Sequence, residues 1–226
     1  MHFLCLHGIG TNSKVFETQT AAIRTELGDG HTYDFVEGTL DWPKAPELGS
    51  LFSDDDQYFA YYDPYNATSF RTAILQLEEY IKVEGPFDGV LAFSHGAALS
   101  STLLLGQLQA TSDGIDRGST LNPFKCAIFL AAGIPWNLES LKKDELVRLD
   151  REYGSRISIP TAHVWAANDP LGPSMSAVLE DLCVPQVRHV YIHNEGHTVP
   201  GRRSPETLRN TINVIRRVLW DVTSAA

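Results

Sequence analysis

Six short apolar runs of strand length, at 2–7, 32–36, 88–93, 126–131, 161–167 and 188–193, alternate along this chain with longer segments of helical pattern. No other feature constrains the fold as much. Several runs are almost entirely apolar, as parallel strands covered on both faces must be. Helices are predicted over 14–27, 69–83, 97–109, 138–153, 174–182 and 205–222. In the last of these, Leu208, Ile212, Ile215 and Leu219 recur at helical spacing. Ser204 ahead of Pro205 reads as an N-cap followed by proline at the first helical position. The alternation predicts an α/β fold: a doubly wound, mostly parallel sheet of about six strands, with helices on both faces, in one domain over 1–226. Two excursions, about 37–68 and 134–156, interrupt it on the carboxyl side of the strands, where such sheets bind ligands.

The strand at 88–93 runs directly into Ser94-His95-Gly96 and then into a helical segment opening with small residues, Ala97-Ala98-Leu99-Ser100-Ser101. A serine hydroxyl is a weak nucleophile at neutral pH and has to be exposed beside a base. A sharp turn between strand and helix exposes it, and small flanking residues let the turn pack closely. Gly96 fills the second glycine of a G-x-S-x-G pattern, and Ala92 stands at the first. The simpler alternative for Ser94 is a helix N-cap. Two later strands end in loops carrying Asn168-Asp169-Pro170 and Asn194-Glu195-Gly196-His197. The chain order Ser94, Asp169, His197 is that of α/β-hydrolases, not of the other serine-triad folds. The early loop His7-Gly8-Ile9-Gly10 completes the set, because an oxyanion hole needs two converging backbone N–H groups. His95 would supply one of them, and Ile9 or Gly10 the other.

Gly8-Ile9-Gly10 could also open a dinucleotide-binding loop, but the third glycine position is Ser13. His189, His193 and His197 are spaced by four, which would suit zinc only on a helix. Their segment alternates like a strand and Gly196 breaks it. No metal and no cofactor is therefore predicted. Acidic residues outnumber basic ones, 28 to 18, for a net charge of −10. Such a chain repels phosphate backbones and anionic lipid, which disfavours nucleic acid and membrane as partners. No apolar stretch approaches the roughly 20 residues that span a bilayer. The opening Met-His-Phe-Leu-Cys-Leu-His-Gly lacks a basic leader, and the three cysteines are odd in number and widely spaced. Together these predict a cytoplasmic, reducing location.

The motifs Leu4-Cys5-Leu6-His7-Gly8, Phe35-Val36-Glu37-Gly38, Tyr61-Tyr62-Asp63, Phe87-Asp88-Gly89-Val90, Phe93-Ser94-His95-Gly96 and Gly196-His197-Thr198-Val199-Pro200 together resemble the FSH-type family of serine hydrolases. The resemblance runs from residue 1 to about 220. It implies the triad Ser94, Asp169 and His197. Within the family, the chain looks most like the stand-alone thioesterases of fungal polyketide gene clusters. That likeness implies release of acyl chains held as thioesters on the carrier domain of a synthase. Members usually carry glutamine after the nucleophile, where this chain has His95. The backbone N–H survives that change, whereas any contact of the glutamine side chain does not carry over.

Residues 42–70 hold eight of the chain's 22 aromatics, including Trp42, Tyr61 and Tyr62. If the excursion covers the site, these rings wall an apolar acyl pocket, with Trp136 opposite. Otherwise they pack the excursion onto the sheet. Arg202 and Arg203, just beyond His197, are the candidate docking residues for an acidic carrier domain; the alternative is a solvated face. Three function classes remain in play: an acyl thioesterase or carboxylesterase, an acyl-transfer or cyclising enzyme, and a silent binding module on the same fold. The acyl group and the oligomeric state are not legible.

Overall fold

The computed structural model describes residues 1–112 and 123–224. The strands are β1 (His2–Leu6), β2 (Thr32–Val36), β3 (Leu40–Asp41), β4 (Phe59–Ala60), β5 (Gly89–Phe93), β6 (Cys126–Leu130), β7 (Thr161–Ala166) and β8 (Arg188–His193). The helices are α1 (Ser13–Leu27), α2 (Ala67–Glu84), α3 (His95–Ser112), α4 (Leu138–Leu141), α5 (Pro173–Asp181) and α6 (Pro205–Ser224). Six strands form one sheet in the order β2-β1-β5-β6-β7-β8, every neighbouring pair parallel.

The apolar runs form strands because both of their faces are covered. On one face Phe3, Cys5, Leu91, Phe93, Ile128 and Leu130 meet Phe16 and Ile23 of α1 and Ile212 and Ile215 of α6. On the other, Leu4, Leu6, Val90, Ala92 and Phe129 meet Phe70 and Ile74 of α2, Leu99 and Leu103 of α3, and Leu179 of α5. Each fully buried Leu, Ile or Phe here stabilises the fold by roughly 1.5–3 kcal/mol. The helices start where the sequence can cap them. The Asn12 side chain accepts from Val15 N–H, and that of Asn66 from Ser69 N–H. Ser204 sits at the N-cap position of α6, its carbonyl accepting from Leu208 N–H.

β1 has β2 on one side and β5 on the other. The chain thus reverses direction across the sheet between β1 and β5, opening a crevice at their carboxyl ends. The loop His7–Gly10 and the Ser94 turn both leave from there.

One local expectation is corrected. The helix predicted over 138–153 is a single turn, Leu138–Leu141. Asp144 takes a left-handed φ of 61°, and the chain folds back so that Trp136 bridges Arg148. The Arg148 guanidinium lies 5.2 Å from the centre of the Trp136 ring, and this tertiary contact overrides helix propensity. The excursion at 37–68 contains an antiparallel pair, β3 with β4, registered as Leu40 to Ala60 and Asp41 to Phe59. Two-residue strands leave no alternation to detect in sequence.

Candidate active site

The sharp turn at Ser94 is built by backbone. Ser94 has φ 50°, a left-handed conformation that costs a residue other than glycine strain energy. The strain is held by Ser94 N–H donating to Leu130 O at 2.9 Å, and by Ser94 O accepting from Ala98 and Gly133 N–H at 3.0 and 3.1 Å. Gly96 is needed for close approach: a Cβ there would lie 2.6 Å from Leu6 O and 2.8 Å from His7 O. Ser94 does stand at the N-cap position of α3, its carbonyl accepting from Ala98 N–H, but its Oγ is engaged with His197.

Ser94, Asp169 and His197 meet. His197 Nε2 lies 2.8 Å from Ser94 Oγ, and its Nδ1 lies 2.7 Å from Asp169 Oδ2. All three are buried. The second Asp169 oxygen accepts from Leu171 N–H at 2.9 Å, which fixes the carboxylate plane. The His197 loop turns at Gly196, φ 66°. It is tied to the aspartate loop by Asn168, whose amide donates to Asn194 O at 3.0 Å and accepts from Gly196 N–H at 2.9 Å. Asn168 was not singled out from sequence, though its place beside Asp169 was the available signal. The imidazole is thus oriented at one nitrogen by a carboxylate, and its other nitrogen is free to take the serine proton.

The early loop lies beside Ser94: a Cβ on Gly8 would come 3.6 Å from Ser94 Cβ. Gly10 N–H donates to Phe59 O at 2.9 Å, which removes Gly10 as an oxyanion donor. Among the described residues, the N–H groups of Ile9 and His95 have no protein acceptor. The His7 ring is buried among Gly8 O, Thr11 Oγ1 and Gly38 N–H, so it braces this loop from below. His95 is also buried, and desolvation pushes its imidazole down to about 3, so the ring is neutral.

The aromatic residues behave differently from an open pocket wall. Tyr61, Tyr62 and Trp136 lie in the main core. Tyr62 packs 3.9 Å from Phe70 and 3.8 Å from His95 between ring centres, and Phe70 in turn meets Trp136 at 6.0 Å. These rings therefore hold the two excursions onto the sheet. Trp42 is half-buried, and its backbone N–H donates to Tyr58 O. Arg202 lines a groove of about 480 Å³ with Arg209 and Arg216, while Arg203 lies outside its lining. His189 bonds Asp221 at 2.7 Å, and His193 accepts from Glu195 N–H. With His197 on Asp169 and Ser94, the three histidines spaced by four go to separate partners.

Residues 1–207 match the model of a family described as serine hydrolase (FSH1). Over 223 residues the chain is 40% identical to the esterase FPY3 of Fusarium mangiferae, with 97% of each chain covered. Over 204 residues it is 27% identical to the hydrolase phiM of a fungal species, covering 88% of this chain and 86% of that one. Its fold is similar to that of the Bacillus cereus carboxylesterase, with a TM-score of 0.58, 14% identity, and 95% and 87% of the two chains covered.

Proposed function

The chain belongs to the serine hydrolase (FSH1) family, and on that premise we propose that this ester-cleaving enzyme releases a polyketide or fatty acyl chain held as a thioester on a synthase's carrier domain. The observation that carries the chemistry is the single imidazole of His197 bridging Ser94 and Asp169 at 2.8 and 2.7 Å. His197 takes the Ser94 proton as the hydroxyl oxygen attacks the acyl carbonyl. Asp169 holds the tautomer and stabilises the imidazolium. The N–H groups of His95 and Ile9 receive the oxyanion, each worth about 3–4 kcal/mol in the transition state. His197 then protonates the departing thiol or alcohol, and water, activated by the same imidazole, hydrolyses the acyl-serine. The residues need no metal or organic cofactor for these steps.

The arginine-lined groove supports the carrier reading. In a chain of net charge −10, Arg202, just ahead of α6, and Arg209 and Arg216 on it line one groove together with Glu26, beginning five residues beyond His197. An acidic carrier domain complements that charge. The free, buried thiols of Cys5, Cys126 and Cys183 support a reducing, cytoplasmic location. No helix among the described residues is long and apolar enough to cross a membrane.

A fluorophosphonate probe tests the reaction. It should label the native protein and lose its target in Ser94→Ala; labelling that persists there would move the nucleophile elsewhere. Reversing charge at Arg202 and Arg209 should slow turnover of a carrier-bound acyl chain and leave a small ester unaffected. Equal slowing of both substrates would remove the docking assignment.

A further inference from the structure

The return limb of the first excursion, residues 59–62, touches both segments that carry the candidate oxyanion donors: the loop around Ile9 and the side chain of His95. Phe59 pairs with the early loop, its N–H donating to Thr11 O at 2.8 Å and its carbonyl accepting from Gly10 N–H at 2.9 Å. Two residues on, the Tyr61 hydroxyl accepts from His7 N–H at 2.9 Å and donates to Val36 O at 2.8 Å. The Tyr61 backbone N–H points the other way, to His95 Nε2 at 3.2 Å, and Tyr62 N–H reaches the same nitrogen at 3.4 Å. The His95 ring is stacked on Tyr62, 3.8 Å between centres and 18° between planes. One tyrosine therefore spans the gap. Its phenol holds the residue two before Ile9, and its main chain holds the side chain of His95, whose own N–H is the second donor.

Resting on the acyl-serine reading above, we infer that Tyr61 and His95 are positioning residues that set the spacing of the two oxyanion donors. Three features separate this role from plain packing. The contacts are directional hydrogen bonds to both donor segments, not only ring contacts. His95 Nε2 accepts two N–H groups, so its proton sits on Nδ1 and the ring stays neutral, a state that burial maintains at any working pH. And the position is defined by an acceptor, not by a shape: a glutamine carbonyl can take the place of Nε2, whereas an apolar residue leaves two buried N–H groups unpaired. Oxyanion stabilisation depends on donors held at 2.7–3.1 Å from the developing charge, so a small drift in spacing removes rate without removing substrate affinity.

The test uses Tyr61→Phe, His95→Leu and His95→Gln in the full chain. Steady-state kinetics on a small ester are measured beside affinity for a boronic acid that places an oxygen in the hole, and beside Tm. Tyr61→Phe should lower kcat about 10-fold and His95→Leu about 100-fold, with KM near native and boronate affinity falling in step. His95→Gln should return kcat to within a few-fold of native. Tyr61→Phe keeps the ring, so it reports even if His95→Leu does not fold. Native kcat in Tyr61→Phe overturns the assignment. So does a glutamine variant as slow as the leucine one, or a loss that appears in KM and Tm while boronate affinity holds. Fluorophosphonate labelling separates the two proposals. If native labelling does not depend on Ser94, the reaction reading fails; if it does and the variants keep native kcat, only the brace fails.

Discussion

The Ser94 turn and the excursion at 37–68 stand side by side at the crevice, yet they are held by opposite means. The turn is local: one strand, one strained residue, one glycine against the end of β1, and backbone hydrogen bonds to the neighbouring strand. The excursion is held across long stretches of sequence, by Phe59 backbone bonds to Gly10 and Thr11, by its own Tyr61 hydroxyl on His7 and Val36, and by the His95 nitrogen and the rings of Phe70 and His95 packed on Tyr62. The difference teaches where chemistry and where tuning reside. A local device can carry the reacting atom because little else has to be correct for it to form. A long-range one can adjust that atom's surroundings, since it senses several elements at once.

The comparison breaks most severely at the reacting atoms. Ser94→Ala should lower kcat by about 10⁶, and Asp169→Asn by about 10⁴, each with Tm close to native. Steady-state kinetics with thermal denaturation check both; an Asp169→Asn enzyme of near-native rate would detach the acid from its role. Gly96→Ala should be the most damaging change in the turn that leaves the triad itself intact. Its Cβ meets the carbonyls of Leu6 and His7, backbone atoms that cannot swing aside. We expect a loss of roughly 100-fold in kcat, together with 1–3 kcal/mol of stability. Denaturant unfolding beside kinetics reads the two separately.

A smaller effect is expected at Asn168, where two hydrogen bonds join the aspartate and histidine loops. Asn168→Ala should cost about 10-fold in kcat by loosening the placement of His197 against Asp169, with KM unchanged. If KM moves and kcat does not, the tether acts on substrate entry instead.

The same contrast governs what the sequence alone makes legible. The six parallel strands and the convergence of Ser94, Asp169 and His197 are legible because each is a contiguous signal: an apolar run, then a chemical residue at its end. The bounds of Thr32–Val36 and Arg188–His193 match those expected from the sequence residue for residue. What was not legible depends on partners distant in sequence. The segment beyond Leu141 has helical composition, but the bridge from Trp136 to Arg148 wins. The β3–β4 pair is too short to show a period. Gly10 stands behind Ile9 as the second choice of donor in the sequence, and only the structure shows its N–H taken by Phe59 O. And Tyr61, Tyr62 and Trp136 counted equally well as pocket wall or as packing, since composition cannot say which way a ring turns.

The smallest effect concerns two buried imidazoles, one at the crevice and one in the core. His95 serves the crevice; His163 lies within β7, 3.1 Å from Thr161 Oγ1 and 5.5 Å from the Phe129 ring. Burial pushes both down to about 3 from an ordinary 6.5, with the nearby Arg188 charge adding to the effect at His163 and the His7 imidazole at His95. Between pH 6.5 and 3 the unfolded chain takes up protons that these folded rings refuse, so both penalise the native state as pH falls through that window. Above 6.5 neither ring is charged in either state and the term vanishes. His163→Leu should therefore flatten the acid side of the stability curve while leaving kcat at neutral pH as it was. His95→Gln should flatten it likewise, and any residual rate loss then reports the hydrogen-bond geometry rather than charge. Unfolding midpoints at pH 7 and pH 4.5, set against kcat at pH 7, make the distinction. Were His163→Leu to lower kcat as far as His95→Leu does, the line between core and crevice drawn through these two histidines would not hold.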